Sequence, residues 1–464
     1  MSPAVATLGR DLDAILADPA LAHGYWGVLV KSLKTDETLY ELNARKLLIP
    51  ASNMKIVTLA VAAERLGWDY TYDTQLLAAG RVEAGRLDGD LLVVGSGDPS
   101  LMDGDTARVF ASWADRLQAL GVRTISGRII GNDDSFDDEG LGFGWSWDDL
   151  PDDYAAGISA LQFNENAVRL TVAPGAAVGD FAAISLTPVG SGLVVDSALK
   201  TSAADVPASI AAHRLPGSAR LVLRGSIPIG GQPATRVVSV DNPTIFFVTA
   251  LRSALIARGI DVRGPAVDID EIADASSKTG ATLVASHRSP PLSTLAVRLM
   301  KQSQNLYAET LLKTIGAQAG MPTFAGGRAQ AQTTLQGWGL GPGDLIARDG
   351  SGLSRYDYVT AAALVAILTH VQRDDTHRAP FETSLPIAGR DGSLANRMRG
   401  TAAEGNVRAK TGSMSNVRAL SGFVASADGE PLVFSIIANN FETAPDTITT
   451  ATDAIVVKLA EFRR

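Results

Sequence analysis

The spacing of apolar and polar residues predicts a helix and a β-hairpin at the start of the chain. Residues 5–17 repeat apolar positions at helical spacing, and two apolar runs follow, GYWGVLVKSL and ETLYELNA, separated by a polar turn at residues 34–36. Helical spacing indicates an amphipathic helix, and two apolar runs around a polar turn indicate paired strands. We therefore expect a helix followed by two antiparallel strands.

A second helix is predicted in LLIPASNMKIVTLAVAAERLGWDY. Pro50 blocks an earlier start, because proline is not tolerated inside a helix, and the apolar run ends at Gly67. Ser52 stands where a capping hydroxyl is common. We therefore expect Ser52 to cap this helix at its N-terminus, where the backbone potential is positive.

The rest of the chain changes pattern twice. Residues 74–285 show short alternating runs separated by Gly, Asp and Pro, as in GRLDGDLLVVGSGDP, which predicts a strand-rich insertion. Helical spacing returns in PLSTLAVRLMKQSQNLYAETLLKTIGAQ, AGGRAQAQTTLQGW, YVTAAALVAILTHVQR and DTITTATDAIVVKLAEF. Three strand-like runs, NVRAKTGS, RALSGFVASAD and PLVFSIIANNF, precede the last of these helices.

Together these elements predict an α/β fold of the α+β type. Two N-terminal and three C-terminal strands would form one five-stranded antiparallel sheet flanked by helices. We expect residues 1–73 and 286–464 to form the main domain and residues 74–285 to form the insertion. The expected subdomains of the insertion are residues 74–100 with 165–285, and residues 101–164.

Composition excludes several classes of protein. The 464 residues include 41 basic and 50 acidic side chains, a net charge of −9 without a basic block, so nucleic acid is not an expected partner. No stretch approaches the roughly 18 apolar residues of a membrane-spanning helix. The absence of cysteine excludes a thiolate nucleophile. The first thirty residues lack the basic and apolar regions of an export signal, which leaves a cytoplasmic protein or one whose signal has been removed.

Common catalytic motifs are also missing. The five histidines are scattered, without the spacing of a zinc site, so no metal is expected. No G-x-S-x-G, P-loop or complete G-x-G-x-x-G occurs, and no cofactor is expected. Serine paired with lysine remains the best candidate chemistry.

The segment Ser52-Asn53-Met54-Lys55 is an S-x-x-K motif. Three residues apart on a helix, both side chains lie on one face, so the amine can take the hydroxyl proton if burial keeps the amine neutral part of the time. A second S-x-x-K runs from Ser197 to Lys200. We expect no chemistry there, because the residues before it are strand-like.

Two further short motifs complete a set. Ser303-Gln304-Asn305 is an S-x-N between two predicted helices, where a tight connection could present a hydroxyl and an amide inward. Lys-Thr-Gly occurs at residues 278–280, which we expect to be a plain loop, and at residues 410–412, where it precedes a hairpin. On a strand, Lys410 and Thr411 could bind a carboxylate, and Gly412 would let a ligand backbone approach closely.

In the order S-x-x-K, S-x-N, K-T-G, these motifs resemble those of penicillin-binding proteins and serine β-lactamases. The segments PASNMK, GSGDPSL, GWSWDDLP, ALQFNEN, DGSGLSR, PIAGRDGSLANRM and GNVRAKTGSMSNV are similar to the D-alanyl-D-alanine carboxypeptidase/endopeptidase family, the class C low-molecular-mass penicillin-binding proteins. The resemblance covers nearly the whole chain and includes the long insertion between S-x-x-K and S-x-N. Class A β-lactamases lack that insertion and need a deacylating glutamate loop, which this sequence does not show.

The resemblance implies a role for each motif residue. Ser52 would be the acylated nucleophile and Lys55 its proton acceptor, while Ser303 and Lys410 would carry a proton to the leaving amine and Asn305 would hold the acyl-side amide. The remaining implied substrate contacts are Lys410, Thr411, Gly412, Ser413 and Ser415. The N–H groups of Ser52 and Ser413 would form the oxyanion hole, and two donors aimed at developing charge suit acyl transfer.

Two residues outside the motifs resemble positions that bind the stem-peptide side chain. Asp148 and Arg355 would bind the amine and the carboxylate of a diaminopimelate-type group. Where relatives often carry several tyrosines, this chain has Asp152-Asp153-Tyr154. The alternative is that Asp148 is a surface charge and Arg355 a loop anchor.

The resemblance implies a serine D,D-peptidase that acts on peptidoglycan stem peptides, binds β-lactams covalently and works outside the cytoplasmic membrane after its signal has been removed. Carboxypeptidase and endopeptidase activity differ only in the leaving group, and the sequence leaves both open, together with the oligomeric state. An S-x-x-K esterase or peptide hydrolase with another substrate is a second hypothesis, although the Lys410 motif would be superfluous there. A non-catalytic peptidoglycan-binding or β-lactam-sensing module is the third.

Overall fold

The computed structural model describes residues 2–272 and 280–464. The helices are α1 Pro3–Leu16, α2 Met54–Leu66, α3 Asp103–Ala119, α4 Pro243–Ala257, α5 Leu292–Lys301, α6 Asn305–Gln318, α7 Phe324–Gly337, α8 Ala361–Arg373, α9 Asp375–Ser384 and α10 Pro445–Glu461. None of the helices in this described part has the length and apolar character needed to cross a membrane.

The strands follow the chain in the same way. They are β1 Tyr25–Ser32, β2 Thr38–Leu42, β3 Asp73–Glu83, β4 Arg86–Gly95, β5 Thr124–Ile125, β6 Ile129–Asn132, β7 Ala167–Ala173, β8 Ala183–Thr187, β9 Val194–Ser197, β10 Lys200–Ser202, β11 Ser209–His213, β12 Arg220–Pro228, β13 Ala234–Ser239, β14 Asp261–Val262, β15 Ala266–Asp268, β16 Thr282–Arg288, β17 Leu345–Ile346, β18 Tyr358–Val359, β19 Arg408–Met414, β20 Val417–Ala425 and β21 Pro431–Asn439. These elements belong to two compact units, the first of Met1–Tyr70, Gly142–Gly144 and Pro291–Arg464, and the second of Thr71–Leu141 and Trp145–Pro290.

The first unit is built on one antiparallel sheet in the order β19-β20-β21-β1-β2. The strand β1 pairs with β21 along its whole length, from Tyr25 opposite Asn439 to Ser32 opposite Leu432. The two N-terminal strands and three C-terminal strands thus form one sheet, which confirms the predicted fold class.

Helices cover both faces of this sheet. Val28 and Val30 belong to a core that also contains Leu12 of α1 and Ile455 of α10. Leu29 points to the opposite face, as successive strand residues do, and lines a cavity together with Val365 of α8. The sheet is therefore buried on both sides, which explains why β21 is apolar almost throughout.

The predicted α2 is present and ends where expected, but its start differs in detail. A 3₁₀ turn, Ala51–Asn53, precedes Met54, and the helix ends before Gly67, whose φ of 79° suits a glycine. Three helices were not predicted, namely α3, α4 and α9. The first lies in polar sequence, the second is apolar nearly all round, and the third contains Pro380, so none shows a clear amphipathic signal.

The second unit is rich in strands, as predicted, but its sheets do not follow the predicted subdomains. Strands β5 and β6 lie inside residues 101–164, yet they pair in parallel with β4 and with β14 and β15, which flank that range. The division at residues 101–164 is therefore wrong, because backbone pairing joins that segment to a sheet shared with β3 and β16.

The two ends of the second unit lie side by side. The Tyr72 N–H donates to Ser289 Oγ at 2.9 Å, and the Ser289 N–H donates to the Tyr72 carbonyl at 3.0 Å. Beyond them, β3 and β16 continue as an antiparallel pair that starts with Asp73 opposite Arg288. The inserted chain therefore leaves and returns as one paired stem.

Candidate active site

The first component of the site is the turn that carries Ser52. This serine lies in the 3₁₀ turn directly before α2, and its neighbour Ala51 has a φ of 46°, a conformation that is rare for a residue with a Cβ. The predicted helix cap is wrong, since Asn53 occupies the N-cap position and no side chain caps the helix. Lys55 Nζ instead donates to Ser52 Oγ at 2.9 Å.

Lys55 is fully buried and has three close acceptors. Its Nζ lies 2.9 Å from Ser52 Oγ, 2.6 Å from Asn305 Oδ1 and 2.8 Å from the Ser351 carbonyl oxygen. Burial lowers the pKa of Lys55 to about 7, against the opposing effect of nearby carboxyl groups. An amine with this pKa can serve as a base near neutral pH.

A second serine–lysine pair joins the S-x-N turn to the sheet. Ser303 connects α5 to α6 with a φ of 59°, and its hydroxyl accepts from Lys410 Nζ at 2.8 Å. Lys410 lies on β19, is fully buried, and also donates to the Thr411 carbonyl at 2.9 Å. Burial, followed by the positive charge of Lys55, lowers the pKa of Lys410 well below its usual value.

The Lys-Thr-Gly strand meets the serine turn through a glycine. A Cβ added to Gly412 would lie 2.5 Å from the Pro50 carbonyl oxygen, so the protein's own backbone requires the glycine. Approach of a ligand backbone to Gly412 stays a prediction. Thr411 Oγ1 is 2.7 Å from Ser393 Oγ, a contact the sequence analysis missed although GRDGSLANR was noted. Ser413 and Ser415 are exposed at the end of β19.

The two residues predicted to bind the stem side chain lie in different units. Arg355 belongs to the first unit, is exposed, and its Nη1 donates to the Ser415 carbonyl at 3.4 Å. Asp148 belongs to the second unit, where it is also exposed. Their joint action on a substrate stays a prediction.

The other copies of the motifs have different surroundings. Ser197 ends β9 and Lys200 begins β10, so this S-x-x-K lies on strands, as expected, and its lysine is exposed. Of the first Lys-Thr-Gly, Lys278 and Thr279 lie outside the described residues.

The sequence analysis missed a group of buried acids beside Lys55. Glu309, Asp349 and Asp357 are almost completely buried, and all three raise the pKa of Lys55. Burial and the charge of Asp349 raise the pKa of Glu309, against the opposing effect of hydrogen bonds from Gly350 and Ser351, and burial raises the pKa of Asp357 well above its usual range. The segment DGSGLSR, which contains Asp349, was noted for its resemblance to the family and for Arg355, and no role was predicted for its aspartate.

The chain is similar to known proteins over most of its length. Residues 8–462 match the D-Ala-D-Ala carboxypeptidase 3 (S13) family. The chain is 38% identical to a D-alanyl-D-alanine carboxypeptidase of an Actinomadura species, over 98% of this chain and 85% of that protein. It is 26% identical to the D-alanyl-D-alanine carboxypeptidase DacB of Haemophilus influenzae, over 90% of this chain and 86% of that protein.

Solved structures show the same fold. The crystal structure of penicillin binding protein 4 (dacB) from Haemophilus influenzae superposes with a TM-score of 0.85 at 24% identity, covering 100% of both chains. Bd3459, a predatory peptidoglycan endopeptidase from Bdellovibrio bacteriovorus, matches with a TM-score of 0.52 at 16% identity, over 94% of this chain and 92% of that chain.

Proposed function

The chain belongs to the D-Ala-D-Ala carboxypeptidase 3 (S13) family, and from that premise we propose that it is a serine peptidase that releases the terminal D-alanine of peptidoglycan stem peptides through an acyl-enzyme. One observation carries the proposal most directly. The buried Lys55 Nζ lies 2.9 Å from Ser52 Oγ, which places a base of lowered pKa beside a hydroxyl at a helix start.

Acylation begins at this pair. Neutral Lys55 takes the hydroxyl proton while Ser52 Oγ attacks the carbonyl carbon of the penultimate D-alanine, so that one C–O bond forms and the carbonyl oxygen becomes an oxyanion. The N–H groups of Ser52 and Ser413 receive that oxyanion. Such donors are typically the largest electrostatic contribution to acyl transfer.

Collapse of the intermediate breaks the C–N bond and releases D-alanine. The leaving nitrogen needs a proton, and Ser303 supplies it from its hydroxyl while Lys410, at 2.8 Å, replaces the proton that the hydroxyl gives up. Asn305 holds the acyl-side amide. The proton that Lys55 took from Ser52 then passes to Lys410, which had given one up, and Lys55 is neutral again. Water attacks the ester carbonyl at Ser52 and gives a proton to Lys55. Lys55 returns that proton to Ser52 Oγ as the C–O bond to the serine breaks.

The substrate's terminal carboxylate explains the remaining motif residues. Burial disfavours the ammonium form of Lys410 in the free enzyme, and an arriving carboxylate supplies the negative charge that favours it again. Thr411 and Ser413 add hydroxyl contacts. A β-lactam carries a similar carboxylate beside its reactive carbonyl, so it acylates Ser52 by the same route.

The substrate also sets the place of action. Peptidoglycan lies outside the cytoplasmic membrane, and we therefore place the enzyme there, facing the cell wall. Because cross-linked peptides present the same D-alanyl carbonyl with a different amine as leaving group, cleavage of D-alanyl cross-links is the second reaction within reach of this site.

Mass spectrometry of reaction products tests the proposal. The protein is incubated with a defined monomeric pentapeptide muropeptide and, separately, with a cross-linked dimer, beside the Ser52→Ala variant. Loss of one D-alanine from the monomer by the wild-type protein alone supports carboxypeptidase activity, and conversion of dimer to monomers supports the second reaction. Intact substrates after incubation with a folded wild-type protein would refute the proposal.

A further inference from the structure

The loop of residues 349–354 contacts Lys55, although it belongs to none of the S-x-x-K, S-x-N and K-T-G motifs. Its Ser351 carbonyl accepts from Lys55 Nζ at 2.8 Å, and its Gly350 carbonyl accepts from Thr58 Oγ1 of α2 at 2.6 Å. A Cβ added to Gly352 would lie only 1.9 Å from the Ala51 carbonyl oxygen. This 349–354 loop therefore packs tightly against the turn and helix that carry Ser52 and Lys55.

Glu309 also binds this loop, through its backbone N–H groups. It is fully buried on α6, and its two carboxyl oxygens accept from successive backbone groups, Oε2 from the Gly350 N–H at 2.9 Å and Oε1 from the Ser351 N–H at 2.7 Å. Asp349 closes the same loop by accepting from the N–H groups of Gly352 and Ser354, at 2.7 and 2.6 Å. Hydrogen bonds to charged acceptors are among the strongest in proteins.

Two of the three contacts of Lys55 thus depend on one helix. Asn305 and Glu309 are four residues apart on α6, so their side chains share a face. Asn305 Oδ1 accepts from Lys55 directly at 2.6 Å, while Glu309 accepts from the N–H of Ser351, the residue whose carbonyl accepts from Lys55. A neutral amine has two N–H groups and one lone pair. If both N–H groups bind these fixed oxygens, the lone pair faces Ser52 Oγ.

We propose that Glu309 is a positioning residue for Lys55. By accepting from the Ser351 N–H, Glu309 fixes the position of the Ser351 carbonyl, so that the lone pair of Lys55 is directed at the Ser52 hydroxyl. The inference rests on the proposed function, in which Lys55 is the base. Burying a carboxyl group costs free energy and adds nothing to the apolar core. A positioning role for Glu309 explains why a carboxyl group is buried at this place.

The charges around Lys55 supply a readout that distinguishes this role from a purely structural one. Lys55 lies near Glu309 on α6, Asp349 in the loop, Asp357 just after the loop, and the second buried lysine, Lys410, on β19. An ionised Glu309 favours the ammonium form of Lys55, so neutralising it lowers the pH at which Lys55 becomes a base.

The experiment measures the rate of Ser52 acylation by a β-lactam from pH 5 to 9 in the wild-type chain and in Glu309→Gln, Glu309→Asp and Glu430→Gln. Glu430 is the matched control, since it is a buried carboxyl of the same unit that contacts Ser32 and Arg464. For Glu309→Gln we expect an acylation rate about ten- to a hundredfold lower and a midpoint moved to lower pH. Glu309→Asp should keep the midpoint and lose rate, while Glu430→Gln should keep both.

The outcomes separate this inference from the function on which it rests. A wild-type chain that is not acylated at Ser52 refutes the proposed function. Acylation of the wild type combined with an unchanged rate and midpoint in Glu309→Gln refutes only the role of Glu309. If Glu309→Gln does not fold, Thr58→Val releases the same loop from α2, and the inference then requires a lower acylation rate in that variant and fails if the rate is unchanged.

Discussion

The same four-residue motif occurs in both units of this protein with opposite surroundings. Ser52 and Lys55 follow one another on a 3₁₀ turn and helix, and the amine is fully buried and bonded to the hydroxyl. Ser197 and Lys200 lie on successive strands, where the hydroxyl accepts from the Leu199 N–H at 3.2 Å and the amine lies 3.2 Å above the ring of Phe181.

The difference shows what turns a serine and a lysine into a reactive pair. Helical geometry brings the two groups within reach, and burial removes the water that would keep the amine protonated. The exposed Lys200 lies over an aromatic ring, where a lysine interacts favourably through its positive charge, and in the described part of the chain its amine makes no hydrogen bond to Ser197. An S-x-x-K motif is therefore expected to be reactive only where helical geometry brings its serine and lysine together and burial lowers the pKa of the lysine.

Loss of the nucleophile should have the largest effect. Ser52→Ala removes the only atom that we expect a β-lactam to acylate, so the covalent adduct should disappear. Intact-mass measurement followed by peptide mapping checks this. Ser197→Ala serves as the control and should bind one equivalent like the wild type. An adduct on Ser197, or labelling that survives in Ser52→Ala, would contradict the assignment of Ser52 as the nucleophile.

Loss of the base should come next. Lys55→Ala leaves the Ser52 hydroxyl with its proton, and acylation should slow by about 10²- to 10⁴-fold, the usual contribution of a positioned base. Stopped-flow or time-resolved mass measurement of acylation gives this value. Lys200→Ala should react at the wild-type rate, and equal losses in both variants would contradict the distinction between the two motifs.

The buried lysine of the sheet should show a dependence on substrate. Lys410→Ala should lower kcat/KM by about ten- to a hundredfold for peptides that end in a free carboxylate, as expected for loss of a charge-assisted contact of about 1.5 to 3 kcal/mol. Thioesters without that carboxylate should lose less. Equal losses on both substrates would make Lys410 chiefly a proton carrier.

The pH dependence of acylation tests the burial of Lys55. Burial lowers its pKa to about 7, and only the neutral amine accepts a proton. The acylation rate of the wild type should therefore fall about tenfold for each pH unit below 7 and level off above it. A flat profile between pH 5 and 7 would show that Lys55 is not the titrating base.

The smallest effect should come from the exposed lysine. Lys200→Ala removes a cation from the ring of Phe181, which at a solvent-exposed site is worth about 0.5 to 1 kcal/mol. Thermal or urea unfolding should show a loss of this size at unchanged acylation rate. A loss of several kcal/mol would mean that the second motif has a structural role that its exposure does not reveal.

The sequence predicted the parts of the site that short-range patterns encode. Apolar runs at β1 and β21 indicated the sheet, and the order of Ser52, Ser303 and Lys410 indicated which residues meet. Glu309 was invisible at that level, because its partners Gly350 and Ser351 are about forty residues away and bind through their backbone, which carries no side-chain signal.

Other misses have equally physical causes. The Ser52 cap was predicted from residue type, but its hydroxyl is bonded to Lys55 and the helix begins two residues later. The subdomain boundary at residues 101–164 failed because parallel pairing of β5 and β6 with distant strands follows from tertiary structure. Helix α4 lacks the amphipathic period because its apolar residues extend to exposed positions such as Ile256.

The paired stem of the second unit has a consequence for chain entropy. Tyr72 and Ser289 exchange hydrogen bonds where the inserted chain leaves and returns, so the insertion is closed at its base by a paired stem. Even a flexible loop costs only about 0.6 kcal/mol for each doubling of its length, and a stem that is already paired removes most of that dependence. Insertions and deletions in the second unit, beyond the stem, should therefore change the folding free energy of the first unit, which carries Lys55, very little.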